Sequence, residues 1–101
     1  MPGVHLFVYG SLRCGRANHA QLAGASFVRS LATAPRYALV EHDGYPALVP
    51  GCSAVEGELY TVTREHLARL DAFEGSGYVR AKVTLADGSA ALAYWLAGEA
   101  R

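Results

Sequence analysis

Glu74 is the residue whose position is hardest to explain as part of an ordinary surface. The sequence predicts a helix that begins after Thr63, a favourable N-cap, and ends at Gly75. Glu74 follows Leu67 by seven residues and Leu70 by four, so it projects between them on the apolar side of that helix. In an apolar setting the pKa of a carboxyl group rises toward the range of a useful general base. The alternative is that the helix frays at Gly75 and the carboxyl turns to water, and position alone does not decide between the two.

A second candidate site lies where the apolar run 4–9 meets Gly10. Such a run beside a glycine predicts a buried strand that leads into a tight loop. Gly10 can take a positive φ there, and its missing Cβ lets another molecule approach the backbone. The consecutive N–H groups of Gly10, Ser11 and Leu12 could then form a nest around one anionic or carbonyl oxygen. The alternative is a structural turn, which this segment taken alone favours.

Other reactive side chains fit known sites poorly. Cys14 and His19 lack a third group to orient a nucleophile–base pair, so an ordinary loop thiol is the better interpretation of Cys14. Ser11 lacks the Gly-x-Ser-x-Gly setting of a hydrolase nucleophile. The histidines and cysteines show no ligand spacing, so no metal site is predicted.

Four further residues are expected mainly to pack or to form a rim: Tyr78, Arg80 and the aromatics Tyr45 and Tyr94. Tyr78 follows Glu74 by only four residues, so it is a plausible second wall of a pocket there.

Turn residues divide the rest of the chain into short strands around one clear helix. Asp87-Gly88 is a strong hairpin signal. The pattern predicts an α+β domain on a curled, largely antiparallel sheet or small barrel. The predicted strands are 4–9, 27–31, 37–40, 47–49, 55–62, 78–85 and 90–96, with a short helix at 19–23.

Composition narrows the classes of function. The 101 residues suit one domain, 1–101, and 51% are hydrophobic. Nine basic and nine acidic residues cancel, which argues against a general nucleic-acid binder. No apolar stretch approaches a membrane span and no secretory signal is visible, so a cytoplasmic protein with free thiols at Cys14 and Cys52 is expected. The oligomeric state is left open.

Four blocks in order resemble the γ-glutamylcyclotransferase-like superfamily and cover nearly the whole chain. The compact length is most similar to the small bacterial members and the γ-glutamylamine cyclotransferases. The blocks are Phe7-Val-Tyr-Gly-Ser-Leu-Arg-x-Gly-x-x-Asn-His19, Gly44-Tyr-Pro-Ala-Leu48, Val55-x-Gly-Glu-Leu-Tyr60 and Leu70-Asp-x-Phe-Glu-Gly-x-x-Tyr-x-Arg80.

The resemblance implies a small mixed barrel with flanking helices and a cyclising activity. Its Tyr9 to Leu12 loop would hold a γ-glutamyl head through backbone N–H groups, with Glu74 as the catalytic glutamate and Tyr78 as the site tyrosine. The implied reaction is intramolecular aminolysis that releases 5-oxoproline from a γ-glutamyl amine or amino acid, without metal or cofactor. Two alternatives remain: a non-catalytic module that binds a small metabolite, and a related amide-cleaving step in a biosynthetic pathway.

Overall fold

The computed structural model describes residues 3–10 and 19–100, which form seven strands and one α-helix. A 3₁₀ helix, His19–Leu22, stands where the sequence predicted a short helix, and a second, Gly75–Gly77, follows the α-helix. No helix in this described part of the chain is both long and apolar enough to cross a membrane. The bounds are β1 Val4–Val8, β2 Ser26–Ala32, β3 Tyr37–His42, β4 Tyr45–Pro50, β5 Glu56–Val62, α1 Arg64–Glu74, β6 Tyr78–Thr84 and β7 Ala90–Leu96.

All seven strands join one curled sheet, in the order β2-β5-β1-β7-β4-β3, with β6 paired to the other edge of β7. Four strand pairs are antiparallel, whereas β1 and β4 each meet β7 in parallel over a single residue pair. An isolated bridge between Thr33 and Leu85 brings the ends of β2 and β6 together without closing the sheet. The prediction of an α+β fold on a largely antiparallel sheet is confirmed, and the barrel is a loose one.

Strand β1 is covered on both faces, which explains its unbroken apolar sequence. Phe7 lies in the core cluster inside the curl of the sheet, together with Trp95. Leu6 and Val8 point the other way and pack in a second cluster, which includes Leu70 of α1. Because α1 closes the outer face of β1, the C-terminal residues of α1 lie next to the C-terminal end of β1.

Strand β4 is longer than predicted because its two prolines lie at positions where the strand donates no backbone hydrogen bond to β3. Asp43 and Gly44, with φ of 51° and 83°, form a two-residue turn, so β4 begins directly at Tyr45. Counting from that turn, Pro46 and Pro50 occupy positions whose N–H would point away from β3. The sequence prediction of a strand limited to 47–49 treated these prolines as breaks and was wrong.

Candidate active site

Glu74 is the last residue of α1, and its side chain is half-buried beside the apolar face of the helix. Leu67 and Leu70 on that face are 5% and 1% exposed, as the sequence pattern predicted. Burial raises the pKa of Glu74 from 4.5 to about 7. Among the described residues, no hydrogen-bond donor or cation pairs with this carboxylate. Near neutral pH the group can therefore both accept and donate a proton.

Three phenol groups lie within electrostatic range of Glu74. Burial raises the pKa of Tyr9, of Tyr78 and of Tyr94, and the negative charge of Glu74 raises each of them further. All three hydroxyls therefore stay protonated near neutral pH. The structure thus places three tyrosines around the Glu74 carboxyl group at the end of α1. They are Tyr9 after β1, Tyr78 at the start of β6 and Tyr94 in β7.

The hydroxyl of Tyr9 fills the gap where β1 and β4 separate along the edge of β7. It donates a hydrogen bond to the carbonyl oxygen of Tyr94 and accepts one, at 3.1 Å, from the backbone N–H of Leu48. Tyr9 is only 7% exposed, so its hydroxyl satisfies two buried backbone groups. This arrangement fixes the end of β1 against β4 and β7.

Removing the Tyr9 hydroxyl is expected to destabilise the protein without changing its charge. Tyr9→Phe leaves the Leu48 N–H and the Tyr94 carbonyl buried without this partner, at a cost of roughly 2–4 kcal/mol in unfolding free energy. Urea denaturation measures that loss. Tyr45→Phe, at a tyrosine that is 52% exposed, is the matched control and should change stability by less than about 0.5 kcal/mol. A Tyr9→Phe protein as stable as the control would contradict the bridging role.

Gly10 lies against Pro46, which leaves little room for a side chain. A Cβ on Gly10 would stand 3.1 Å from Cγ of Pro46, which is tighter than ordinary packing. The φ of Gly10 is outside the positive region, so the predicted use of a left-handed conformation at this residue is wrong. Ser11 and Leu12, the other two predicted members of the nest, lie outside the described residues.

Tyr78 forms a wall between the end of α1 and the turn that joins β3 to β4. Its hydroxyl donates to the carbonyl oxygen of Pro46 at 3.3 Å. The His42 and Tyr78 rings pack in a T-shaped contact at a centroid distance of 5.7 Å. The His42 ring occupies the space where Gly77 has no side chain, since a Cβ there would lie 2.8 Å from Nε2. Pro46 thus contacts both Tyr78 and Gly10, and so links two of the predicted binding residues.

Sequence reasoning missed a polar cluster directly behind Glu74. Tyr94 donates to Oδ1 of Asp71 at 2.6 Å, and Arg80 lies 3.3 Å from Oδ2 of the same carboxylate. These three residues, with Gly75 and Tyr78, line a cavity of about 330 Å³. Tyr94 and Arg80 had been interpreted as packing or rim residues. The alternation of β7, which places Tyr94 on the face covered by α1, was the signal that could have found this cluster.

The remaining candidates do not join this site. Cys14 lies outside the described residues, so its interpretation as an ordinary loop thiol stays a prediction. Cys52 is an exposed free thiol. Within residues 3–10 and 19–100, no three side chains of histidine, cysteine, aspartate or glutamate converge as metal ligands.

Comparison with known proteins gives a consistent set of relatives. A family model described as gamma-glutamyl cyclotransferase, AIG2-like, matches residues 6–101. The gamma-glutamylcyclotransferase family protein YtfP of Escherichia coli K12 is 35% identical over 89 residues, which are 86% of this chain and 78% of YtfP. The crystal structure of c4763, a protein specific to uropathogenic E. coli, superposes with a TM-score of 0.87 at 28% identity. That match covers 97% of this chain and 82% of the other.

Two further relatives are matched over a smaller share of their own length. A Vibrio cholerae protein, provisionally named a gamma-glutamylcyclotransferase, is 44% identical over 69 residues, 68% of this chain and 60% of that protein. Gamma-glutamylaminecyclotransferase C of Danio rerio is 41% identical over 81 residues, 69% of this chain and 53% of that protein. The chain therefore spans between half and two thirds of the length of these two relatives.

Proposed function

The chain belongs to the gamma-glutamyl cyclotransferase, AIG2-like family of enzymes, and from this premise we propose that it cyclises γ-glutamyl amines or γ-glutamyl amino acids. The products are 5-oxoproline and the free amine. In this proposal Glu74 is the general acid and base, and Tyr9, Gly10, Ser11, Leu12 and Tyr78 bind the γ-glutamyl head. The name of the Danio rerio relative, which specifies a γ-glutamylamine, supports an amine as the leaving group.

The observation that carries the proposal is the half-buried Glu74 carboxyl, whose pKa burial raises to about 7. A protein that only binds a metabolite has no need of an unpaired carboxyl group in an apolar setting, where its ionisation costs free energy. A catalyst of proton transfer does need one, because a base works best with a pKa near the working pH. The environment of Glu74 therefore favours catalysis over binding alone.

The proposed reaction moves two protons from the attacking nitrogen to the leaving nitrogen, through Glu74, and consumes no water. The Glu74 carboxylate accepts a proton from the α-ammonium of the substrate, and the freed amine nitrogen attacks the γ-carbonyl carbon of the same molecule. The carbonyl electrons move to oxygen and then return as the bond to the departing nitrogen breaks. Protonated Glu74 gives its proton to that nitrogen, which leaves as the amine. The ring nitrogen then loses its second proton through Glu74 to the released amine, so neutral 5-oxoproline and the protonated amine remain. Glu74 ends in its starting state.

Positioning supplies much of the expected acceleration because the nucleophile is already tethered to its target. Well-oriented intramolecular reactions reach effective molarities of about 10⁵ M or more, provided that the reacting atoms are held close together. Backbone N–H groups that follow Tyr9 would stabilise the oxyanion that forms at the γ-carbonyl, each worth about 3 kcal/mol in favourable cases. The hydroxyl of Tyr78, whose hydrogen is donated to the Pro46 carbonyl, lies within the electrostatic range of Glu74 and keeps an acceptor lone pair for a substrate N–H.

A substrate panel tests this function directly. The panel contains γ-glutamyl conjugates of an alkylamine, of a diamine, of the ε-amine of lysine and of α-amino acids, and 5-oxoproline is followed by mass spectrometry. We expect at least one conjugate to release 5-oxoproline and an equal amount of amine. Its N-acetyl analogue, which has no free nucleophile, is the matched control and should not react.

Two results would count against the proposal. Cleavage of the N-acetyl analogue at a comparable rate would indicate direct hydrolysis instead of cyclisation. If no conjugate reacts while several raise the melting temperature, the chain is a binding module for γ-glutamyl metabolites.

A further inference from the structure

The last turn of α1 is tied to two strands through a single residue, Asp71. Its Oδ1 accepts the hydrogen bond from Tyr94 of β7 at 2.6 Å, and its Oδ2 lies 3.3 Å from Arg80 of β6. Its backbone oxygen accepts the N–H of Gly75, which closes the helix. Asp71 is therefore held from three directions, one helical turn before Glu74.

Glu74 needs such support because the end of α1 does not by itself restrain the Glu74 side chain. Helix ends fray, and α1 ends at Gly75 in a conformation, φ 75°, that carries no side-chain restraint. The ionised carboxylate would be better solvated if the turn opened toward water. No basic residue lies in the last turn of α1. The restraint that keeps Glu74 facing the end of β1 must then come from residues of the strands that pack against α1.

Of the two links to Asp71, the one from Tyr94 carries more weight. Tyr94 is 5% exposed and packs in the same core cluster as Leu70, so its hydroxyl has a fixed position. The side chains of Asp71 and Arg80 are 43% and 32% exposed, and ion pairs of that kind contribute little on their own. The Tyr94 backbone also accepts the hydrogen bond from Tyr9, so one residue connects the strand end to the helix end.

We propose that Asp71 and Tyr94 form a positioning brace that holds the last turn of α1, and with it the Glu74 carboxyl, against the Tyr9 end of the site. Arg80 fixes the second oxygen of Asp71 from β6. The effect of the brace on catalysis rests on the proposed cyclotransferase function, whereas its effect on the position of Glu74 does not. Tyr94 and Asp71 touch no reacting atom in this arrangement and act through Glu74.

Titration of Glu74 reports its position through the groups that face it within residues 3–10 and 19–100. They are Tyr9 from the end of β1, Tyr78 from β6 and Tyr94 from β7, all neutral near pH 7, with Asp71 and Arg80 as the charged pair behind. Tyr94→Phe removes a hydrogen bond and no charge. A fall in the Glu74 pKa in this variant would therefore mean that the carboxyl has moved toward water.

The experiment compares Tyr94→Phe with Tyr37→Phe as the matched control. Tyr37 is another buried tyrosine whose hydroxyl accepts a backbone hydrogen bond, from Thr84 at 2.8 Å, in the cluster inside the sheet. The titration of Glu74 is followed by carboxyl ¹³C NMR, assigned with Glu74→Gln, and kcat and KM are measured on the best substrate. Melting temperatures show how much each variant loses in general stability.

We expect Tyr94→Phe to lower the Glu74 midpoint by about one pH unit or more, toward the value of a solvated glutamate. We expect its kcat to fall about 10- to 100-fold with KM nearly unchanged, because small misplacements of a catalytic group are costly. Asp71→Ala should act in the same direction and the double variant should be no worse than Asp71→Ala. Asp71→Asn keeps an acceptor for the Tyr94 hydroxyl and should restore most of kcat.

A Glu74 midpoint that stays at the wild-type value in a folded Tyr94→Phe protein would overturn the brace, as would equal effects in Tyr37→Phe. If the wild type turns over no substrate, the proposed function fails while the NMR titration still decides on the brace. If Asp71→Ala does not fold, the neutral Tyr94→Phe change decides alone.

Discussion

Glu74→Gln is expected to lower kcat for 5-oxoproline release by about 10²- to 10⁴-fold, which is the usual contribution of a general acid–base group. Glutamine keeps the shape and the burial of the side chain but neither accepts nor donates the required proton. KM should change little, because the γ-glutamyl head is held elsewhere in the proposed site. Glu65→Gln, in the exposed first turn of the same helix, is the matched control and should keep full activity.

The pH dependence of the wild type belongs to the same prediction. The base must be ionised to accept the proton, so kcat/KM should rise about tenfold per pH unit below the Glu74 pKa and level off above about 7. A solvated glutamate would place this limb between pH 4 and 5. Full activity in Glu74→Gln, or an acid limb near 4.5, would remove Glu74 from the role of base.

The same substitution should stabilise the fold at alkaline pH. Glu74 has a pKa of about 7 in the folded protein and 4.5 as its ordinary value, so between these limits the folded state binds more protons than the unfolded state. Stability from this group is then fully present below pH 4.5 and is lost as pH rises through about 7. Neutral glutamine avoids that loss, so the free energy of unfolding of Glu74→Gln increases relative to that of the wild type as pH rises.

The size of the effect follows from the pKa difference. A shift from 4.5 to about 7 corresponds to roughly 3 kcal/mol at most, and the advantage of Glu74→Gln should grow by about 2 kcal/mol between pH 5 and pH 8. Urea denaturation of both proteins at the two pH values measures it, with Glu65→Gln as a control that should show no such growth. A stability difference that is constant with pH would show that Glu74 titrates as it does in the unfolded chain.

Local pattern was enough to predict the elements and the odd place of Glu74. The helical period put Glu74 between Leu67 and Leu70, and the structure leaves it half-buried there. The unbroken apolar run predicted a buried β1, and both of its faces are covered. These features depend on residues within one or two turns of each other, where sequence spacing and spatial neighbourhood coincide.

The contacts that organise the site could not be predicted from the sequence because they join distant parts of the chain. The hydroxyl of Tyr9 meets the carbonyl of Tyr94, 85 residues later, and Tyr94 meets Asp71 across 23 residues. Nothing in the local sequence states that β1 and β4 separate along β7, which creates the gap that Tyr9 fills. The prolines of β4 led to a wrong prediction for the same reason. Whether a strand accepts a proline depends on which of its edges faces the neighbouring strand, here β3.

Repeating the substrate assay in H₂¹⁸O distinguishes cyclisation from hydrolysis. Intramolecular aminolysis consumes no water, so we expect 5-oxoproline without ¹⁸O, formed in equal amount with the released amine. Hydrolysis of the same bond would instead give free glutamate that carries one ¹⁸O atom in its γ-carboxylate. Unlabelled 5-oxoproline would establish the cyclisation, and labelled glutamate as the first product would contradict it.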